Sequence, residues 1–181
     1  MIVRDAAADD VPALAAIYGH HAVHGLGTFE EAPPEAADMA ARLAAVRARG
    51  LPYLVAADED GVAGFAYASP FRLRAAYRYT VEDSVYIAPG RAGQGIGKFL
   101  LAEVIARCEA LGLRQMIAIV GDSGNAGSIG LHRSLGFDLK SVMPAVGFKH
   151  GRWVDIVWMQ RTLNGGSDAL PDAAGLDLIG V

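Results

Sequence analysis

The chain has 181 residues, 52% hydrophobic and 20% charged, which describes one globular domain with at most a tail and excludes a wholly disordered polypeptide. A domain of this size hides roughly 70% of its unfolded surface and needs no disulfide or structural metal. Its one cysteine, Cys108, excludes an internal disulfide and a cysteine-rich zinc site, and a formal charge of -4 excludes a broadly basic nucleic-acid surface.

The residues after Met1 lack the charged-then-apolar layout of a secretion signal, and no apolar run approaches the roughly 20 residues that span a bilayer. A soluble, cytoplasmic protein without membrane or nucleic-acid partners is expected.

In chain order, Ile2 to Arg4 reads as a short first strand. Asp9 or Asp10 is placed to cap a helix that carries Val11, Leu14, Ile17 and Tyr18 at helical spacing. Pro33-Pro34 breaks the chain before a second helix, Glu35 to Arg49, closed by Gly50. Leu51 to Ala57 and a strand ending near Pro70 flank an Asp58-Glu59-Asp60-Gly61 turn and predict a hairpin. Thr80 to Ala88 is a further strand, stopped by Pro89-Gly90.

The third helix is best marked. Ile96, Leu100, Val104, Cys108 and Leu111 form one apolar stripe, and Glu103 and Arg107 pair on its exposed side. Met116 to Val120 reads as a buried strand, and Asn125 to Leu135 as a fourth helix stopped at Gly136. Phe137 to Phe148 and Trp153 to Arg161 predict a second hairpin, with Trp153 and Trp158 on opposite faces and packing expected for both. From Asn164 onward the period is lost, so residues 1–163 are expected to form the domain and 164–181 a mobile or loosely packed tail. Hairpins at both ends of a βαβ centre predict an α/β (α+β) fold: a mixed, mostly antiparallel sheet with helices on both faces.

Gly93-Gln94-Gly95-Ile96-Gly97 joins the Thr80 strand to the third helix. Glycines there permit a tight turn and close approach of an anion, and the helix start behind them offers free N–H groups to a pyrophosphate. A plain tight turn is the alternative. Two other phosphate motifs fail by letter: Lys98 replaces the last glycine of a dinucleotide fingerprint, and Ala92 and Phe99 break a P-loop.

The stretch Ala92-Gly93-Gln94-Gly95-Ile96-Gly97 resembles the acetyl-CoA signature of the GCN5-related N-acetyltransferases, with Ala92 standing where that family carries Gln or Arg. Asn125, Ser128, Leu131, His132, Leu135, Gly136 and Phe137 resemble the second half of the signature, and Asn125, Ser128 and His132 share one helical face. The resemblance implies that family's fold, with a splayed parallel strand pair. It also implies acetyl-CoA as co-substrate, bound by Val85, Tyr86, Ile87, Gly93, Gln94, Gly95, Ile96, Gly97, Lys98, Asn125 and Ser128.

Over residues 1 to 163 the chain is further similar to the phosphinothricin and methionine sulfoximine/sulfone acetyltransferase group. The similarity rests on Ala66-Tyr67-Ala68-Ser69-Pro70, Tyr79 to Ile87, and Gly147-Phe148-Lys149-His150-Gly151-Arg152-Trp153. It implies acetylation of the amino group of a small amino-acid-like molecule by direct attack on the thioester. Alternatives are a protein N-terminal or polyamine acetyltransferase of the same fold, or a non-catalytic acyl-CoA sensor.

Glu82, a carboxylate in mid-strand, is the candidate base. Strand alternation puts it with Ser84 and Tyr86, opposite Val81, Asp83, Val85 and Ile87. His132 stands where relatives carry a tyrosine near the leaving sulfur, so protonation of the thiolate or help in removing the amine proton is implied; a core histidine is the alternative. Arg72, Arg74 and Tyr77, with Phe29 and Glu30, are the candidate substrate contacts, the arginines suiting a carboxylate or phosphinate.

His20, His21 and His24 lack the partners of a metal site and read as surface residues, so no metal is expected. The resemblance also implies a homodimer, in which Lys149 and His150, beside a turn, reach a partner subunit's cleft; a plain hairpin turn is the alternative.

Overall fold

A computed structural model describes residues 1–178, in which four helices surround a seven-stranded sheet. The strands are β1 (Ile2–Asp5), β2 (Tyr53–Asp58), β3 (Gly61–Pro70), β4 (Thr80–Ile87), β5 (Gln115–Gly121), β6 (Asp138–Lys149) and β7 (Arg152–Thr162). The helices are α1 (Val11–His24), α2 (Ala36–Ala48), α3 (Ile96–Ala110) and α4 (Ala126–Ser134). The strand order is β1-β2-β3-β4-β5-β7-β6, antiparallel throughout except for the parallel pair β4–β5.

That parallel pairing is brief. Thr80, Val81 and Glu82 pair with Gln115, Met116 and Ile117; β4 then continues to Ile87 and β5 to Gly121 without a shared ladder. The sheet therefore forks immediately after Glu82, and the fork leaves strand groups free for something other than a neighbouring strand.

Antiparallel register puts Tyr53 beside Tyr67 and Phe65 beside Tyr86, so their rings stack on one face, with Tyr53–Tyr67 centroids 4.7 Å and Phe65–Tyr86 centroids 5.1 Å apart. Helices α1 and α2 cover that face, and α3 covers the other. The predicted α3 stripe is buried at Ile96, Leu100, Val104 and Cys108, while Leu111 lies past the helix end and is 41% exposed. Arg107 Nε donates to Glu103 Oε1 at 2.9 Å, as the spacing predicts.

Three local features differ from the sequence expectation. Asp10 does not cap α1 with its side chain; its carboxylate accepts two bonds from Arg4, at 2.6 and 2.8 Å, and one from the Ala7 amide. Trp153 is 67% exposed rather than packed. The β6 ladder slips twice against β7, once between Leu139 and Ser141 and once between Met143 and Gly147; Pro144 interrupts the strand at the second slip, where Ala145 has φ 55° and its amide donates to Asp155 Oδ1.

Residues after β7 form no regular element. Asn164 Nδ2 donates to the carbonyls of Glu109 and Leu113, Tyr79 Oη donates to the Ala173 carbonyl at 2.7 Å, and the Leu176 amide donates to the Arg78 carbonyl. Leu178 is 8% exposed. Composition misses these ties because their partners all lie elsewhere in the chain. Residues 179–181 lie outside the described residues.

Candidate active site

A cleft of about 1020 Å³ opens where β4 and β5 part. One wall is β4 from Glu82 to Ile87, another is the face of α4, and the floor is β5 from Ala118 to Gly121. The start of α3 closes one end, and the connection after α1, residues 25 to 29, closes the other.

The α3 end is a main-chain cradle. Gly93 and Gly95 both have φ 79°, a backbone that side-chain-bearing residues rarely adopt. No side chain caps α3, its first turn holds no acid, and among the described residues no group accepts from the amides of Gly95, Ile96 and Gly97. A Cβ on Gly97 would sit 3.1 Å from Leu131, so helices α3 and α4 meet here on glycine. Free amides at a positive helix end, approached without side chains, fit the pyrophosphate of a coenzyme A molecule.

Gly93, Gly95, Gly97 and Lys98 line the cleft. Gln94 does not, and accepts instead from Arg91 Nε; Ile96 buries its side chain in the core and presents only its amide. Arg91 also donates to Asp58 at 2.5 Å, bracing the turn against the β2–β3 hairpin.

Asn125 and Ser128 line the opposite wall, and Asn125 also has the structural role, its Oδ1 accepting from the Ser128 amide at 3.1 Å. Val85, Tyr86 and Ile87 line the β4 wall. The Ile87 carbonyl is already engaged by His21 Nε2 at 2.8 Å. His21 is thus a cleft residue and not a surface one, and the sequence carried a signal for it: Val11, Leu14, Tyr18 and His21 share one face of α1.

At the fork, Glu82 is half-buried, and among the described residues its carboxylate has no hydrogen-bond donor. Burial raises its pKa, the neighbouring Asp83 charge raises it further, and Arg72 opposes both. Asp83 points to the other face of β4, where it is 6% exposed, and its Oδ2 meets His132 Nε2 at 3.0 Å. The other ring nitrogen of His132 lies 2.7 Å from the Ser128 carbonyl. Desolvation works against the imidazolium, but the Asp83 and Ser128 contacts outweigh it and raise its pKa. Sequence reasoning missed Asp83, although a carboxylate among Val81, Val85 and Ile87 on a core-facing side demands a buried partner.

On the substrate side, Phe29 lines the cleft and lies across Gly147, where a Cβ would fall 2.3 Å from its ring. Glu30 is not in the wall. Arg42 grips it with two bonds, at 2.8 and 2.9 Å, and holds its carboxyl below the usual range, while Tyr18 Oη donates to it at 2.7 Å. Lys149 turns inward, fully buried, and donates to the Thr28 carbonyl at 2.7 Å. Arg72, Arg74 and Tyr77 stand on the exposed connection between β3 and β4, outside the walls. Arg72 stacks on Phe71, 4.3 Å from its ring centre.

The Acetyltransferase (GNAT) family model matches residues 16–137. The chain is 54% identical over 171 residues to a phosphinothricin N-acetyltransferase of Alcaligenes faecalis, covering 94% of this chain and 85% of that one. It is 42% identical over 163 residues to an L-methionine sulfoximine/L-methionine sulfone acetyltransferase of Pseudomonas paraeruginosa, covering 90% and 94%. A solved GNAT superfamily phosphinothricin acetyltransferase from Sinorhizobium meliloti, in complex with AcCoA, shares 50% identity and a TM-score of 0.91 over 94% of this chain and 92% of that one. Together with the forked sheet and the glycine cradle before α3, these matches make the chain a member of the GNAT acetyltransferase family.

Proposed function

We propose that this enzyme acetylates the amino group of a small, anionic, amino-acid-like substrate of the phosphinothricin, methionine sulfoximine or methionine sulfone type. The observation that carries the reading is the pairing, in one cleft, of an uncapped helix start with a half-buried carboxylate that has no donor of its own. The relatives named above supply the substrate class.

Acetyl-CoA, when bound, supplies the acetyl group as an activated thioester. The amides of Ile96 and Gly97 hold its pyrophosphate, and Asn125 and Ser128 face its arm. Glu82 takes the proton from the attacking amine, directly or through one water, and its raised pKa makes it the stronger base. Arg72, Arg74 and Tyr77 receive the substrate anion. The β3–β4 connection that carries them leaves β3 at Pro70, whose neighbour Ser69 pairs with Glu82.

The same reading places the enzyme in the cytoplasm as a homodimer. Val142, Met143, Val146, Phe148 and Trp153 leave an apolar face on the edge hairpin β6–β7, with Phe148 and Trp153 exposed by 59% and 67%. A face of that kind suits a second copy of the chain.

The test is thiol release from acetyl-CoA with phosphinothricin, methionine sulfoximine, methionine sulfone, ordinary amino acids, a polyamine and short peptides. Turnover confined to the first three, and lost in Glu82→Gln, is the expected result. Acetyl-CoA binding without turnover on any amine would overturn it in favour of a sensor.

A further inference from the structure

The ring of His132 is held on both sides. A carbonyl oxygen only accepts, so the nitrogen 2.7 Å from Ser128 O carries a hydrogen. The other nitrogen faces Asp83 Oδ2 at 3.0 Å, and two acceptors do not meet at that distance unless a proton lies between them. The pair therefore contains one shared proton, whichever atom it sits on, and leaves the ring no nitrogen for a third partner.

The pair also joins two elements that little else joins. Helix α4 is nine residues long, and His132 is its one buried residue; β4 bears Glu82 and has lost its β5 ladder at this level. Asp83 and His132 bridge the gap from 6% and 4% exposure, with the Phe137 ring set edge-on to the imidazole at 5.0 Å. We propose that Asp83 and His132 form a latch that pins α4 to β4 and so sets the width of the coenzyme-binding cleft, with His132 a positioning residue and not the proton donor to the leaving sulfur. The latch rests on the acetyl-CoA reading above.

The charged and titratable groups around the pair are few. Glu82 is the next residue on β4, turned to the other face, and Cys108 approaches from α3 with its thiol pushed up to about 12 by burial and, second, by Asp83. Arg133, next in α4, is exposed, and among the described residues no lysine or arginine pairs with Asp83. His132 alone neutralises that carboxylate. Its proton affinity is raised in the fold, so the bond's contribution is complete at low pH and is lost as pH rises through the ring's folded value. Loss of the shared proton leaves a buried carboxylate facing a lone pair, and α4 separates from β4.

The experiment is acetyl-CoA affinity by calorimetry from pH 6 to 10, with kcat measured in parallel, on wild type, Asp83→Asn and Asp83→Ala, each checked by thermal melting. An asparagine still donates to a neutral imidazole without a titrating proton, so Asp83→Asn is expected to bind with near wild-type affinity and no basic limb. Asp83→Ala is expected to bind about tenfold more weakly at every pH. Wild type is expected to weaken on the alkaline side. A basic limb in kcat alone, with flat wild-type affinity, would overturn the latch and return His132 to proton donation. Intact, pH-dependent binding without turnover on any amine would sink the substrate reading and leave the latch standing, whereas a wild type that fails to bind acetyl-CoA would sink both.

Discussion

At the α3 end of the cleft, the groups offered to a ligand are the amides of Gly95, Ile96 and Gly97; at the fork, the group offered is the side chain of Glu82, while Asp83 and His132 are bonded to each other. The first end works because side chains are missing and the backbone is left-handed at two glycines. The second rests on one carboxylate, Glu82, left without a donor at a break in the sheet that the Asp83–His132 contact spans from the other face of β4. Main-chain sites tolerate most substitutions except those that add a Cβ, whereas side-chain sites fail when a single functional group changes. Mutants should therefore separate the cradle, read through affinity, from Glu82, read through turnover, with the Asp83–His132 bridge behind the fork acting on affinity.

The largest effect expected is at Glu82. Glu82→Gln keeps the shape of the fork and removes the proposed base, so kcat should fall by roughly 10²- to 10⁴-fold while acetyl-CoA affinity is retained. Steady-state kinetics and calorimetry on one preparation read both. In wild type the acid limb of kcat/KM should lie above the ordinary carboxylate range, since burial raises the pKa of Glu82 and the base must be ionised to act. The same shift has a stability consequence. A carboxyl whose folded pKa is raised contributes least once pH has risen through that value, so Glu82→Gln should melt no lower than wild type at pH 8.

Next in size is the cradle. Gly95→Val places a β-branched residue at φ 79°, yet the added Cβ would meet only Phe99, at 3.8 Å. The fold has room for the atom, but the turn cannot keep its conformation. Acetyl-CoA affinity should fall on the order of a hundredfold with the folded state retained. Tight binding by this variant would remove the pyrophosphate assignment.

These two ends were not equally readable. The glycine turn is legible because its requirement is local: a left-handed backbone before a helix demands glycine in the string itself, and the α3 stripe that follows is buried as its spacing implies. Glu82 was legible as a carboxylate in a strand. Asp83 was not, because its meaning depends on a histidine 49 positions later that only the packing of α4 brings beside it. Trp153 failed for the opposite reason: an aromatic in a strand implies packing, but the edge position of the β6–β7 hairpin leaves it 67% exposed. Local backbone demands travel in the sequence, while partners across a fork or on an edge do not.

A smaller effect should appear at the substrate wall. A Cβ in Gly147→Ala would fall 2.3 Å from the Phe29 ring, which must swing away from the cleft. KM for the amine should rise about tenfold while acetyl-CoA affinity stays unchanged. An equal change in both would show that residues 25 to 29 wall the whole cleft and not its amine end alone.

The smallest effect is expected far from both ends, and it calibrates the others. Arg107 donates to Glu103 at 2.9 Å and to Asp5 at 2.6 Å, joining α3 to β1 on the surface. The guanidinium raises no issue of buried charge, being 36% exposed, so solvent screens most of the attraction. Arg107→Ala should cost about 0.5 kcal/mol in denaturant unfolding, less at high salt, and leave kcat and acetyl-CoA affinity untouched. Since α3 begins at the cradle, a loss of acetyl-CoA affinity in this variant would mean that the helix transmits strain from its far end to the glycine turn. In that case the losses at Gly95 could no longer be assigned to the turn itself.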